Sequence, residues 1–459
     1  MRFFEGVRVL DLTHVWIGPL VTRVLADLGA DVIKVEHGDH PDGTRIAFFA
    51  GNDSSGEYWH HSAYFTKRNA GKRAIQVNLR DPEGKELFLR LVAETDMVFE
   101  NFTPGVMDRL GLGYETLREH NPSIIMCSLS GYGQTGPHAH RPAYGMSMEP
   151  ASGIAALTGY RGVGPMKTGQ TWIDHYGGFQ GVGGAIAALM HRARSGEGQH
   201  VEVSMQEAAI PMLAAHVAEY QQRGRLHGPN NPRREGKVRG YYECAGVDAW
   251  VAVSVRDEAE WIACCHAVGH PEWLEDPRFA TPADRYEHHD ALDEGLAQWA
   301  AGRTKFEAAQ LLQDAGVPAA PVLAADEMLA DEQLEAREFF DPLELVDYGE
   351  IPIERYFSPR IDGRGVPARG RAPKLGEHTD EVLREVLGLS DEELDGLAAR
   401  GVTRGEPVAL MSPAARENSP LPLEQLIEQG SILRIDEDFQ DAIDAQVARL
   451  RARDASAGA

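Results

Sequence analysis

Cysteine is scarce: four in 459 residues, Cys127, Cys244 and the adjacent pair Cys264 and Cys265, with no C-x-x-C spacing. That spacing excludes a disulfide framework or a zinc ribbon and predicts free thiols packed in a core, in a reducing compartment. Long apolar runs are missing too. No stretch approaches the roughly 18 uncharged apolar residues of a membrane helix, so no membrane partner is expected. Arg2, Glu5, Arg8 and Asp11 interrupt the start, where no export signal is expected, and a cytoplasmic location follows as an expectation. Basic charge is in deficit, 45 Lys and Arg against 70 Asp and Glu, for a net −25. Such a field repels nucleic acid and anionic lipid, and an anionic ligand would need a local basic pocket. HExxH, GxSxG, P-loop and EF-hand patterns are absent, and the His60-His61 and His288-His289 pairs point adjacent side chains apart, so no metal site is expected.

What is present is ordinary globular composition, 43% hydrophobic and 25% charged, at a length that predicts more than one folded unit. Val7 to Leu12 is an apolar run of strand formers, Gly18-Pro19 opens a helical pattern through Val21, Val24, Leu25 and Leu28, and Ala30 to Val35 returns to strand character. A crossover helix between two such strands makes a βαβ unit. Further units follow: strand Ala74 to Val77, helix Pro82 to Glu94, strand Met97 to Phe99, helix Gly105 to Glu119, strand Ile124 to Ser128. The fold class is therefore α/β with a doubly wound parallel sheet. A small-residue helix spans Gly177 to Arg194 and leads into a strand at Val201 to Ser204.

Residues 205–240 read as a linker; within it Arg223, Arg225, Arg233, Arg234, Lys237 and Arg239 face only Glu235, either as a solvated stretch or as a phosphate-contacting loop. A smaller α+β domain is expected over 241–325, with a strand at Trp250 to Val255. A linker and return path over 326–405 follows, ending in a final helix at Asp380 to Leu387. The extension 406–459 carries an apolar stripe at Phe439, Ile443, Val447 and Leu450 that should dock on the body or on a second subunit.

Two places invite chemistry. The first βα loop, Thr13-His-Val-Trp-Ile-Gly-Pro19, lacks the GxGxxG spacing of a dinucleotide site, so NAD is not expected, yet it ends at a helix N-terminus where anions are favoured. That puts His14 near a ligand, or leaves it capping local backbone. Asp174 follows Trp172-Ile173 and precedes Gly177-Gly178, a setting that desolvates a carboxylate while leaving backbone N–H groups approachable. It is either a nucleophile or an N-cap of the following helix.

Ordered motifs decide between these. Gly6-Val-Arg-Val-Leu-Asp-Leu-Thr13, Leu28 to Glu36, Asn69 to Ile75, Glu100-Asn-Phe102 with Pro104-Gly105, Arg109-Leu-Gly111, Ser130 to Pro137, Ser195 to Gln199, Asp276 to Phe279, Gly316-Val-Pro318 and Leu375 to Asp380 together resemble the family III CoA-transferases. The likeness covers the chain to about Val402. It implies a large Rossmann-like domain built from both chain ends, its N-terminal part at 1–204, a small domain between, and a homodimer whose subunits interlock. By motif position Asp174 matches the family's catalytic aspartate. Coenzyme A contacts are implied at His14, Val15, Lys72, Asn101, Phe102, Arg109 and Tyr132. The implied substrates are an acyl-CoA and a carboxylic acid, with no metal.

Trp16 and Tyr144 are pocket candidates, and the N–H groups of Gly177 and Gly178 are candidates to hold a tetrahedral oxyanion. The family's racemases carry a histidine where Tyr144 stands, which counts against the alternative of acyl-CoA racemization. A catalytically idle CoA-binding protein is the third reading, and Asp174 argues against it.

Overall fold

The computed structural model describes residues 2–46, 49, 55–230, 233, 236–407 and 422–457. The chain divides into two units: one made of Met1–Ser152, Gln170–Met212 and Leu329–Ala459, the other of Gly153–Gly169 and Leu213–Met328.

The first unit is organised by six parallel strands, β1 (Arg8–Asp11), β2 (Asp31–Glu36), β3 (Arg73–Gln76), β4 (Met97–Glu100), β5 (Ile125–Ser130) and β6 (Gln199–Ser204), in the order β3-β2-β1-β4-β5-β6. Val9, Leu10, Ile33, Val98, Phe99 and Ile125 are fully buried, as strands covered on both faces must be. The Ile17–Asp27 helix is buried on every side, with its one charged pair, Arg23 and Asp27, closed on itself at 2.8 Å. Between β1 and β4 the strand order reverses, which opens a crevice at the carboxyl ends of those two strands.

The expected βα units are present, with differences that have local causes. The helix read over Gly105 to Glu119 is two, Val106–Leu110 and Tyr114–His120, because Gly111 takes φ +72° and ends the first. The small-residue helix begins earlier, at Trp172, and runs to Ser195, so Asp174 sits inside its first turn rather than at its N-cap, which is Thr171. The stretch 205–240 holds helices Met205–Ala209 and Ala214–Arg223. Its bases find local acids: Arg223 and Arg225 reach Glu219 at 3.5 and 3.3 Å, and Arg233 pairs with Asp290 and Asp293. Lys237 donates to the Arg256 carbonyl and the Arg239 side chain has no carboxylate partner among the described residues; Arg234 and Glu235 lie outside them.

The returning C-terminal segment covers what would be an open sheet edge. The β3 backbone exchanges hydrogen bonds with it, His378 N donating to Ala74 O at 2.8 Å and Gln76 N to Thr379 Oγ1 at 3.0 Å. Helix Thr379–Leu387 is followed by one more, Asp391–Ala399, capped by Ser390. The Phe439–Ala457 helix docks on the hairpin of β10 (Phe340–Leu345) and β11 (Gly349–Glu354). Leu450 is buried there, and Arg453 donates to Phe340 O at 2.9 Å, whereas Phe439 is left exposed and outside the docking stripe.

The second unit carries an antiparallel sheet, β7 (Val238–Glu243), β8 (Trp250–Val255) and β9 (Ala319–Pro321) in that order, packed with helices around Trp261, Phe279, Leu292 and Leu312. Cys244, Cys264 and Cys265 are buried in this core as free thiols, and Cys127 is buried in β5. Among the described residues no helix is long and apolar enough to cross a membrane, and no group of three or more His, Cys, Asp or Glu could hold a metal ion.

Candidate active site

The crevice between β1 and β4 is a cavity of about 800 Å³ lined by the loop after each strand. The β1 loop is locked from two sides. Asn101 Oδ1 accepts from His14 N, and Asn101 Nδ2 donates to His14 O, both at 2.8 Å. Val15 is held at φ +70°, a left-handed conformation costly for a β-branched residue, with its N–H on Asp42 Oδ1 at 3.1 Å. Asp42 in turn pairs with buried Lys34 at 3.1 Å. The loop is thereby pre-formed for a ligand, and Asn101 spends its amide holding it. Burial drives the His14 imidazole below its ordinary pKa, so it is neutral, and it lies edge-on to Phe102 and His40 at 5.7 and 5.6 Å.

Asp174 lies on the wall of this cavity, 7% exposed, with no salt-bridge partner among the described residues. Burial is the largest influence on its carboxyl and raises it from an ordinary 3.8 to about 6; buried Glu149 adds to the rise, while Thr171 and the Arg68 guanidinium oppose it. The first turn of the Trp172–Ser195 helix supplies a favourable dipole for the anion that remains. One feature near Asp174 carried no signal in the sequence. A Cβ at Gly145 would stand 2.0 Å from Asp174 Oδ2 and 2.6 Å from Thr171 Cβ, so only glycine lets the carboxylate occupy its place.

His14, Val15, Trp16, Asn101, Phe102, Tyr144 and Asp174 come together on this one cavity. Other sequence candidates do not reach it. Lys72 is fully buried behind the floor, its ammonium consumed by Asp11 Oδ2 at 2.8 Å, Thr22 Oγ1 at 2.7 Å, Asn69 Oδ1 at 2.9 Å and Pro19 O at 3.1 Å. It has no proton left for a phosphate. Arg109 is exposed beside Gly105, and Tyr132 lies past the lining residue Gly131, edge-on to His138 at 5.9 Å. Gly177 and Gly178 lie within the Trp172–Ser195 helix, where their N–H groups bond to the carbonyls one turn back, so neither serves an oxyanion. Their role is close packing: a Cβ on Gly178 would meet Leu20 Cδ2 at 2.9 Å and one on Gly177 would meet Ile17 Cδ1 at 3.1 Å.

The cavity's free cations are instead Arg80 and Arg141, both exposed on its lining and without a side-chain partner among the described residues. Arg80 lies four residues past the carboxyl end of the edge strand β3, two strands from the switch point, so the switch-point rule does not single it out from sequence.

The profile of CoA-transferase family III matches residues 4–379. The chain belongs to that family. Among curated relatives, it is 33% identical over 412 residues to a succinyl-CoA–D-citramalate CoA-transferase of Chloroflexus aurantiacus, covering 87% of this chain and 98% of the relative. It is 32% identical to a formyl-CoA:oxalate CoA-transferase of Afipia carboxidovorans, covering 89% and 99%. Among solved structures, a CAIB/BAIF family protein from Brucella suis matches with a TM-score of 0.75 and 32% identity, over 83% of this chain and 98% of that one. This family III CoA-transferase thus has its buried, unpaired carboxylate on the crevice of a Rossmann-ordered sheet.

In such an enzyme the Gly145 contact has a measurable consequence. Gly145→Ala should push the carboxylate out of line and lower turnover by about 100-fold, since a displacement of about 1 Å is enough for that. A turnover number within twofold of the parent, for a protein with an unaltered circular dichroism melt, would contradict the placement.

Proposed function

We propose that the enzyme moves coenzyme A from an acyl-CoA to a carboxylic acid through a thioester on Asp174. Asp174 attacks the donor thioester carbonyl, forming a mixed anhydride and releasing CoA thiolate. The thiolate attacks the aspartyl carbonyl of that anhydride, leaving an aspartyl-CoA thioester and the free donor carboxylate. An acceptor carboxylate then runs the sequence in reverse, regenerating Asp174 and conserving the thioester energy. The observation that carries this reading is the position of Asp174: buried, without a counter-ion, and facing a cavity large enough for an extended thiol ester.

In this proposal the phosphates of CoA pair with Arg80 and Arg141, while Leu79, Phe102, Val106 and Leu110 give its pantetheine an apolar strip. The backbone of His14 and Val15, held by Asn101 and Asp42, sets the width of the crevice. Tyr144 presents a phenol, 67% exposed, on the cavity lining. It offers the α-carbon of a substrate no imidazole at the position where the racemases carry one, which supports transfer over racemization. The same reading takes the enzyme as an interlocked homodimer, in which Val217, Tyr220 and Leu226, exposed in the single chain, are covered by the second copy.

Incubation with an acyl-CoA in the absence of an acceptor acid tests the proposal. Intact mass should rise by one CoA, and peptide mapping after borohydride reduction should locate the change at Asp174. Transfer that proceeds with no CoA ever found on the protein would refute the covalent route.

A further inference from the structure

A second cavity, of about 620 Å³, adjoins the first unit's crevice, and Trp16 lines both. Asp174 and His175 are consecutive on one helix, so their side chains diverge by about 100°: Asp174 faces the crevice and His175 faces this second space. Its charged walls are Lys67, Arg68, Glu354 and Arg355, the last already paired with Asp341 at 2.6 Å, and Tyr64 and Tyr356 are among its other polar walls.

The charges there do not balance. Lys67 is matched by Glu354 at 2.9 Å. His175 is held neutral by burial, with Arg68 adding to the effect. Arg68 is 5% exposed and has no carboxylate within salt-bridge distance among the described residues. Its guanidinium stacks 3.9 Å over Trp16 and 4.1 Å over Tyr64, and Nη1 donates to Tyr64 O at 3.0 Å. Arg68 Nε is buried with nothing to donate to, and so is the neighbouring Trp16 Nε1. A buried guanidinium with no ion pair at contact distance, acted on only from further off by the Asp174 carboxyl, and with an idle N–H is costly, and a fork fixed on two rings is pre-organised for a carboxylate.

We propose that Arg68 is the recognition group for a second carboxylate on the acyl moiety, so that the preferred substrates are CoA monoesters of dicarboxylic acids, whose chain runs from Asp174 past Trp16 into this cavity. The inference rests on the reading of Asp174 as the acyl acceptor and adds the class of acid. A monoacid of equal length leaves the guanidinium unpaired, and sites built around a buried donor discriminate strongly against the analogue that lacks its partner.

The test compares succinyl-CoA with butyryl-CoA, matched in chain length and differing in the terminal acid. Wild-type kcat/KM should favour succinyl-CoA by about 100-fold. Arg68→Met should bring that ratio to within about threefold of one, and Arg68→Lys, which keeps charge but not the fork, should fall between. Because Arg68 also acts on the Asp174 carboxyl, the ratio of the two esters in one protein preparation is read, which cancels any common loss. The unreactive thioether analogues of both esters, titrated by calorimetry, give the same ratio without turnover. A ratio near one in the wild type, or one unchanged in Arg68→Met, overturns the inference. Failure of Asp174 to acquire CoA from either ester, with analogue selectivity intact, overturns the covalent reading instead.

Discussion

Asp174→Asn is expected to lower CoA transfer by at least about 10⁴-fold while making the protein more stable. The two effects share one cause. Burial without a counter-ion lifts the Asp174 carboxyl from 3.8 to about 6. A folded-state pKa above the unfolded one means the group contributes stability that is fully present below pH 3.8 and is lost as pH rises through about 6. At pH 7 the ionised side chain therefore costs the folded state up to about 3 kcal/mol, and a neutral amide removes that cost.

The wild-type rate should follow the same titration with the opposite benefit. In the proposed route only the carboxylate attacks, so kcat/KM should rise tenfold per pH unit below about 6 and level off above it. Urea unfolding and a pH–rate profile check the pair. Residual activity of Asp174→Asn within tenfold of the parent, or an acid limb set near 4, would mean that another group carries the acyl transfer.

Lys72→Met should cost about 3–5 kcal/mol, because it leaves a buried carboxylate behind. Asp11 and Lys72 are both fully buried and 2.8 Å apart, and the pairing with Lys72, helped by Lys34, holds the Asp11 carboxyl down at about 2 in spite of burial. Glu36, paired with Arg45 at 2.7 Å, is held at about 2 in the same way. These depressed groups contribute stability that is present above their ordinary values near 4 and is lost as pH falls through about 2, the opposite direction to Asp174. The double variant Asp11→Asn with Lys72→Met removes both charges and should recover at least about half of the loss in chemical denaturation. A single-variant cost below about 1 kcal/mol, or no recovery in the double, would show that the pair does not act as a unit.

Lys72 also marks the boundary between what sequence reasoning reaches and what it does not. The motif around it placed the residue beside a ligand, yet its acceptors, Asp11, Pro19, Thr22 and Asn69, come from three separate stretches that meet only when the sheet is assembled. Arg80 and Arg141 are the reverse case, unremarkable in a charged sequence but free on the crevice lining once β3 and the segment after β5 are in place. The oxyanion role expected of Gly177 and Gly178 failed because the helix starts at Trp172, one turn earlier than the small-residue pattern indicated, and internal hydrogen bonding takes their N–H groups.

Local signals were enough for the strands. Hydrophobic run length and the Gly-Pro start of the first helix are properties of neighbouring residues, and they determined the parallel α/β class and the crossover units. The order of family motifs along the chain likewise pointed to Asp174, which the structure places on the crevice wall. Tertiary structure alone decided which charges are spent and which are free. Whether a lysine is a ligand group or a buried counter-ion, whether a carboxyl is raised to about 6 or lowered to about 2, and whether Gly145 is indispensable all depend on atoms distant in sequence and close in space. Electrostatic energy and steric exclusion act over a few ångströms of real distance, and a linear sequence does not contain that distance.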